Sequence, residues 1–139
     1  MAERKKKQSR SRAALSPLEL DVMNVVWGLG DCTSSQVIGE FGRIRPLAPT
    51  TIRTVLANLR SKGYVKPIPT IGRGFRLRPT VPRESVARRS LQELLASLFH
   101  DSPRQAIAYM LDDVDIPDSE LDEIRRMIES SKQRKGRQP

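Results

Sequence analysis

The chain has 139 residues, enough for one modest domain or for a small domain with an appended helical unit. It contains no run of about 18 apolar residues, so no membrane span is predicted, and its N-terminus lacks the apolar stretch of a signal peptide. A single cysteine, Cys32, excludes an intramolecular disulfide and a multi-cysteine metal site. These features predict a cytoplasmic protein without a metal or cofactor.

The net charge of +9 is distributed unevenly. Residues 1–13 hold six basic residues and one acidic residue, and residues 14–83 hold ten and four. The sign reverses in residues 84–131, with five basic and eleven acidic residues, and residues 132–139 hold four basic residues and no acidic one. The basic part suits a polyanion such as double-stranded DNA, and the acidic part, which phosphate would repel, must have another task.

The first predicted elements are a tail and two helices. Residues 1–13 are polar and basic without periodicity, which predicts a disordered tail. Ser16 and Glu19 form the capping box of a first helix, in which Trp27 is expected to be a core residue. Thr33 opens a second helix in the same way, and Cys32 is expected as a small residue in the turn before it.

Residues 48–63 predict a third helix with two different faces. Pro49 suits its first position, and Gly63 suits the left-handed residue just past its end. The apolar side chains at helical spacing would face a core, and they are Ile52, Val55, Leu56 and Leu59. The polar side chains point the other way, and they are Thr50, Thr51, Arg53, Thr54 and Asn58. Such groups bond base edges and phosphates, although an ordinary amphipathic surface helix would show the same pattern.

A β-hairpin is predicted after Gly63, with strands at residues 64–71 and 75–78 and a tight turn between them. Prolines in the first strand require an edge position or a bulge. Three helices followed by a hairpin is the winged-helix arrangement, in which the third helix enters the major groove. Arg73 at the hairpin tip is then expected to contact phosphate, with Arg76 and Arg78 as weaker candidates; the alternative is a solvated cationic hairpin.

The acidic half predicts a separate helical region after a hinge at Pro79 and Pro82. Three short amphipathic helices are expected near residues 83–99, 103–111 and from 118 onward. They are too small to be stable alone, which predicts a homodimer held together by their apolar side chains. Those side chains are Leu91, Leu94, Leu95, Leu98, Phe99, Ile107, Met110, Leu121, Ile124 and Ile128.

The expected fold class is therefore mostly α with a small β-hairpin. The predicted domains are a winged helix-turn-helix domain at residues 14–81 and a helical dimerisation domain at residues 82–130, with a second disordered tail at residues 131–139. An enzyme is not expected. His100 ends an apolar helix, and the acidic cluster near residue 113 lacks the glycine and distal glutamate of a calcium loop.

Three segments resemble the penicillinase repressors of BlaI/MecI type, a family of winged-helix repressors. They are LSPLELDVMNVVW at residues 15–27, TTIRTVLANL at residues 50–59 followed by Lys62 and Gly63, and GRGF at residues 72–75. The likeness covers about residues 15–129. It implies a homodimer that binds an inverted-repeat operator and blocks transcription.

The resemblance also implies a release mechanism. Family members respond when a membrane sensor with a metalloprotease domain triggers cleavage in the dimerisation region, at a place that matches Tyr109 and Met110. The best-known members have Asn-Phe there, so this chain departs from the pattern. The rival hypothesis is a sequence-indifferent architectural protein whose basic tails coat DNA, which predicts equal affinity for scrambled DNA.

Overall fold

A computed structural model describes residues 12–72 and 74–137. The first part contains helices α1 (Pro17–Leu29), α2 (Ser34–Phe41) and α3 (Pro49–Ser61), and strands β1 (Val65–Pro69) and β2 (Phe75–Pro79). Helices α4 (Arg83–Leu98), α5 (Pro103–Asp113) and α6 (Asp118–Arg137) follow. The fold is a winged helix-turn-helix domain followed by a three-helix region, as predicted. It divides into two compact units, Met1–Arg88 and Arg89–Pro139.

The helix starts in the first unit follow local signals. Ser16 Oγ accepts from the backbone N–H of Glu19 at 3.1 Å, and Glu19 Oε1 accepts from the N–H of Ser16 at 2.8 Å, which completes the predicted capping box of α1. Thr33 caps α2 reciprocally with Gln36. Helix α3 begins at Pro49 as expected, but its N-cap residue makes no side-chain hydrogen bond.

Three helices and the hairpin enclose one apolar core in the first unit. The largest fully buried side chains are Phe41, Met23, Ile52, Leu59, Val22, Val26, Val37 and Cys32. Trp27 is half-buried against this core, as the sequence predicts, and its Nε1–H donates to the carbonyl of Val81 at 2.8 Å. This hydrogen bond fixes the chain where it leaves the wing, because a buried indole N–H needs an acceptor.

The hairpin is held by more than its turn. Its strands pair antiparallel, with Val65 opposite Pro79 and Pro69 opposite Phe75. The sequence predicted that Cys32 lies in a simple turn, but the residue forms an isolated antiparallel bridge with Leu77. The Cys32 N–H donates to the carbonyl of Leu77 at 3.0 Å, and the Leu77 N–H donates to the carbonyl of Cys32 at 2.6 Å. Burial raises the pKa of the Cys32 thiol, so this residue joins the wing to the core as a small apolar side chain.

The division between the units lies inside α4, after Arg88, and not after residue 81 as predicted. Val86 packs against the core of the first unit. The guanidinium of Arg83 lies over the Trp27 ring, 5.7 Å from its centroid, and its Nη2 donates to the carbonyl of Asn24 at 3.4 Å. The first turns of α4 therefore complete the winged-helix unit, a long-range arrangement that the hinge prolines do not reveal.

The described part of the second unit has no buried core of its own. None of the described side chains from residue 89 to residue 136 is buried. Helix α6 continues to Arg137, although the sequence predicted a disordered tail from residue 131. Lysine, arginine and glutamine are good helix formers, so the basic segment can extend a helix that has already begun. Most of the predicted N-terminal tail, residues 1–11, lies outside the described residues.

Candidate nucleic-acid interface

Helix α3 presents two faces, as its sequence predicts. Its apolar residues are buried, with Ile52 and Leu59 at 1% and 0% exposure. Of the predicted groove residues, Thr50, Arg53, Thr54 and Asn58 are exposed on the opposite side. Thr51 is only half-exposed, so it is the least accessible member of the predicted set. The four exposed residues form one continuous polar face at helical spacing, which we call the α3 polar face.

The hydroxyl of Thr54 is already engaged within α3. Its Oγ1–H donates to the carbonyl of Thr50 at 3.0 Å, the usual bond of a threonine to the residue one turn earlier. Because the proton is used, Thr54 offers outward its oxygen lone pairs and its methyl group. These groups can accept from an amino group or pack against a thymine methyl, while Arg53 and Asn58 supply donors.

The wing supports only part of the predicted arginine cluster. The turn is framed by Gly72 and Gly74, whose φ values of 104° and 86° favour glycine. Arg73, predicted to contact phosphate, lies outside the described residues. Contrary to the expectation, Arg78 is not available to contact phosphate. Its Nε and Nη2 donate hydrogen bonds to the two carboxylate oxygens of Asp31, at 2.9 and 2.7 Å. The Arg78 hydrogen bonds hold the pKa of Asp31 below its usual value.

The sequence reasoning missed Arg60. Its guanidinium lies over the Phe75 ring, 5.6 Å from the centroid, and joins the end of α3 to the second strand of the wing. Arg60 follows Arg53 by seven residues, so both lie along one flank of the helix. That spacing was the signal that could have found it. Phe75 remains 46% exposed beside this flank, next to the wing turn.

A short N-terminal segment is fastened to the end of α3 by three hydrogen bonds. Arg12 Nε donates to the carbonyl of Gly63 at 3.0 Å, and the Tyr64 hydroxyl donates to the carbonyl of Ala13 at 2.8 Å. Lys62 Nζ donates to the carbonyl of Ala14 at 3.0 Å. Gly63 has the left-handed φ of 84° that its sequence position predicts. Residues 12–14 therefore lie beside this helix end.

Lys62 also forms an ion pair with the only buried charged residue of the described chain. Its Nζ lies 2.6 Å from Glu19 Oε1, and Glu19 is 6% exposed. The hydrogen bond from Lys62, followed by the one from the Ser16 N–H, holds the pKa of Glu19 below its ordinary value. Lys62 thus joins α1 to the end of α3, and its ammonium group is engaged by Glu19 and by the carbonyl of Ala14.

We expect this carboxylate to make stability depend on pH. Because its pKa is lower in the folded than in the unfolded state, where it is about 4.3, its contribution is complete above that pH and is lost as pH falls further. Urea unfolding between pH 7 and pH 3 should show the wild type losing more stability on acidification than Glu19→Gln does. A constant difference between the two across this range would contradict the assignment.

The predicted dimerisation residues lie on the three helices of the second unit, and most remain uncovered in a single chain. Leu91, Leu94 and Leu98 of α4 are 54%, 44% and 69% exposed. Ile107 and Met110 of α5 are 42% and 50% exposed. Leu95, Phe99, Leu121 and Ile124 are half-buried, and Ile128 is 48% exposed. So much exposed apolar area on a small unit is typical of an interaction surface.

Tyr109 and Met110, at the predicted cleavage place, lie within α5. Tyr109 is 53% exposed, and its ring contacts the edge of Phe99 with a centroid distance of 5.5 Å. In residues 12–72 and 74–137, no group of three or more histidine, cysteine, aspartate or glutamate side chains is arranged to hold a metal ion. Within the same ranges, no helix is both long and apolar enough to cross a lipid bilayer.

A helix with a buried apolar face and an exposed polar face, followed by a two-stranded wing, defines a winged-helix DNA-binding protein. The model of the penicillinase repressor family matches residues 15–130, and the chain belongs to this family. The resemblance seen in the sequence is thereby confirmed. Membership makes the chain a DNA-binding repressor and not an enzyme.

Individual relatives are distant but match over most of their length. The penicillinase repressor of Bacillus licheniformis is 25% identical over 121 residues, which cover 87% of this chain and 94% of that protein. An uncharacterised 16.5 kDa protein of Latilactobacillus sakei is 26% identical over 110 residues, covering 79% and 75%. The solution structure of the DNA-binding domain of the repressor BlaI is 29% identical and covers 54% of this chain and 90% of that chain, with a TM-score of 0.48.

Proposed function

We propose that this repressor binds an inverted-repeat operator as a homodimer, in the cytoplasm, and is released when its C-terminal helices are cleaved or disrupted. The observation that carries the proposal is the contrast between the two units. The first has a core and an exposed polar helix face, whereas the second has many exposed apolar side chains and, in residues 89–136, no buried one. One unit is suited to DNA, and the other needs a protein partner.

The α3 polar face supplies the proposed groove contacts. Arg53 is exposed and can donate two parallel hydrogen bonds to a guanine, and Asn58 can do the same to an adenine. Thr54 and the half-exposed Thr51 add smaller contacts, and Thr50 in the first turn is suited to phosphate. Arg73 at the wing tip is proposed as a second phosphate contact. The basic residues before position 12 would add salt-dependent affinity that does not distinguish sequences.

Dimerisation makes this modest set of contacts effective. Two α3 helices spaced by one turn of DNA, or a multiple of it, would read two half-sites at once. Linking the two binding events raises the overall affinity by roughly 10²–10⁴ over that of one half-site. Loss of the dimer therefore removes repression without any change in the DNA-binding surface.

A membrane sensor with a metalloprotease domain is the proposed partner for release. Its target would be the peptide near Tyr109 and Met110, both of which are about half-exposed. This peptide lies in the hydrogen-bonded backbone of α5. Because a protease binds its substrate as an extended strand, cleavage requires α5 to unwind locally first. The Phe99–Tyr109 ring contact is one interaction that such unwinding would break.

The first experiment measures the binding of the intact protein to DNA upstream of its own gene. The comparison duplexes have the same composition with either one half-site or both half-sites scrambled, and each is titrated over a salt series. We expect a preference of about a thousandfold for the native duplex over the fully scrambled one. Scrambling one half-site should lose most of that preference, because only one subunit is then engaged.

Two other outcomes would contradict the proposal in different ways. Equal affinity for all duplexes, with the same salt dependence, would support the sequence-indifferent coating protein. A strong preference for the native duplex that survives when one half-site is scrambled would support repression by a monomer.

A further inference from the structure

Helix α6 has a coiled-coil pattern along one side. Leu121, Ile124, Ile128 and Ser131 recur at alternating spacings of three and four residues, the pattern of a seam between two helices. Leu121, Ile124 and Ser131 are half-exposed in the single chain, and Ile128 is 48% exposed. The seam is therefore only partly covered by the rest of its own unit.

The charges of α6 are separated along its length. Its first two turns carry four acidic residues, Asp118, Glu120, Asp122 and Glu123. Its later turns carry basic residues, among them Lys132, Arg134 and Lys135. All seven side chains are exposed. The acidic end also matches the helix dipole, which favours negative charge at the N-terminus. The dipole does not account for the apolar seam that runs between the two charged ends.

We propose that α6 pairs with α6 of a second copy in the antiparallel direction, so that the acidic end of each helix lies beside the basic end of the other. This inference rests on the proposed homodimer and adds the contact surface and its orientation. A parallel pair would instead place the four acidic residues of one helix beside the same four residues of its partner.

Among the antiparallel registers that keep the seam residues in contact, one gives the longest overlap. When Ile124 lies opposite the partner's Ile128, Leu121 lies opposite the partner's Ser131. In antiparallel coiled coils, the residues that flank one side of the seam on one helix lie beside the residues that flank the same side on the partner helix. Glu120 then lies beside the partner's Arg134, and Asp118 lies beside the partner's Lys132. By symmetry each of these pairs occurs twice, giving four opposite-charge contacts around the apolar seam.

The unit also has room for a partner helix. A cleft of about 1180 Å³ lies between α5 and α6, lined on one side by Ile107, Met110 and Val114 and on the other by Ile124 and Ile128. Glu120, Glu123, Arg126 and Arg134 are among its polar lining residues. A second α6 entering this cleft would bury its seam against both walls.

The basic end of the pair lies in the last turns of α6. The family match ends at residue 130, before Lys132 and Arg134. These residues extend α6 by further turns, up to Arg137. The proposed charge pairing thus gives a function to a segment that lies outside the family pattern.

Charge reversal tests the orientation in the full-length chain. One variant carries Lys132→Glu and Arg134→Glu, a second carries Asp118→Lys and Glu120→Lys, and a third carries all four changes. Sedimentation equilibrium at low salt should show the dimer Kd rising roughly ten- to a hundredfold in each of the first two variants. The third variant should return to within about threefold of the wild type, because every pair is again of opposite charge.

The other outcomes separate this proposal from the proposed function. A wild-type dimer whose Kd is unchanged in the first two variants would overturn the antiparallel pairing and leave the dimer in place. A monomeric wild type would overturn both. Arg104→Glu on α5 serves as the control for a change in net charge and should leave the Kd unchanged. Circular dichroism of the four-change variant checks that the substitutions themselves do not unfold α6.

Cysteine crosslinking gives an independent geometric test. Chains with Ile124→Cys mixed with chains with Ile128→Cys should form a disulfide between different chains on mild oxidation. Leu121→Cys chains alone should not, because the two copies would be separated by about 15 Å along the helix axes. Self-linking of Leu121→Cys would indicate a parallel pair and overturn the proposal. The native Cys32 is buried and does not interfere.

Discussion

Replacing Arg53 with alanine should lower the affinity for the native operator by roughly ten- to a hundredfold, which corresponds to about 1–3 kcal/mol. Arg53 is exposed on the α3 polar face, so its side chain contributes nothing to the buried core. The expected loss comes from hydrogen bonds to a base edge. Fluorescence anisotropy with native and scrambled duplexes should therefore show a larger loss on the native one.

Arg104→Ala is the matched control, since it removes the same charge from an exposed position on α5. It should leave operator affinity within about twofold of the wild type. If Arg53→Ala weakened binding equally on native and scrambled duplexes, Arg53 would be a phosphate contact and not a base contact. If it changed neither, α3 would not be the recognition helix.

The largest expected effect on stability belongs to Lys62→Met. This change keeps most of the apolar stem but leaves the buried carboxylate of Glu19 without its ion-pair partner. Removing one member of a buried pair commonly costs about 3–5 kcal/mol. Since Lys62 is 29% exposed and Glu19 keeps its bond from the Ser16 N–H, we expect a smaller loss of about 1–3 kcal/mol, measured by urea unfolding.

Lys66→Met provides the comparison, because Lys66 is an exposed lysine on β1 and its loss should change stability by less than about 0.5 kcal/mol. The double variant Glu19→Gln, Lys62→Met should recover part of the loss, since no unpaired charge remains buried. A double variant no more stable than Lys62→Met alone would show that the contribution of Lys62 comes from its other bond, to Ala14.

The elements of the fold were predictable because their signals are local. Each signal involves only residues within a few positions of a helix end. The signals are the capping boxes at Ser16 and Thr33, the proline that begins α3 and the glycine that follows α3. The spacing of three and four residues between its apolar side chains then predicted which face of α3 points outward. These rules placed the winged-helix order and the polar face correctly without any knowledge of tertiary contacts.

The contacts that shape the site could not be predicted in this way. The Arg78–Asp31 pair spans 47 positions in sequence, and the Lys62–Glu19 pair spans 43. Arg78 carries a positive charge that suits phosphate. Only the folded structure reveals that the Arg78 guanidinium is already paired with Asp31. Side-chain pairing across such distances depends on packing, which the local pattern does not encode. The residues proposed to contact DNA remain predictions.

Helix α4 belongs to both units, and its first turns cover part of the winged-helix core through Val86. A chain cut near residue 109 would retain all of α4, so its DNA-binding unit would lose none of its own packing. The fragment would persist as a folded monomer able to occupy single half-sites weakly. Restoring repression after induction would then depend on the ratio of newly made chains to surviving fragments, since both compete for the same DNA.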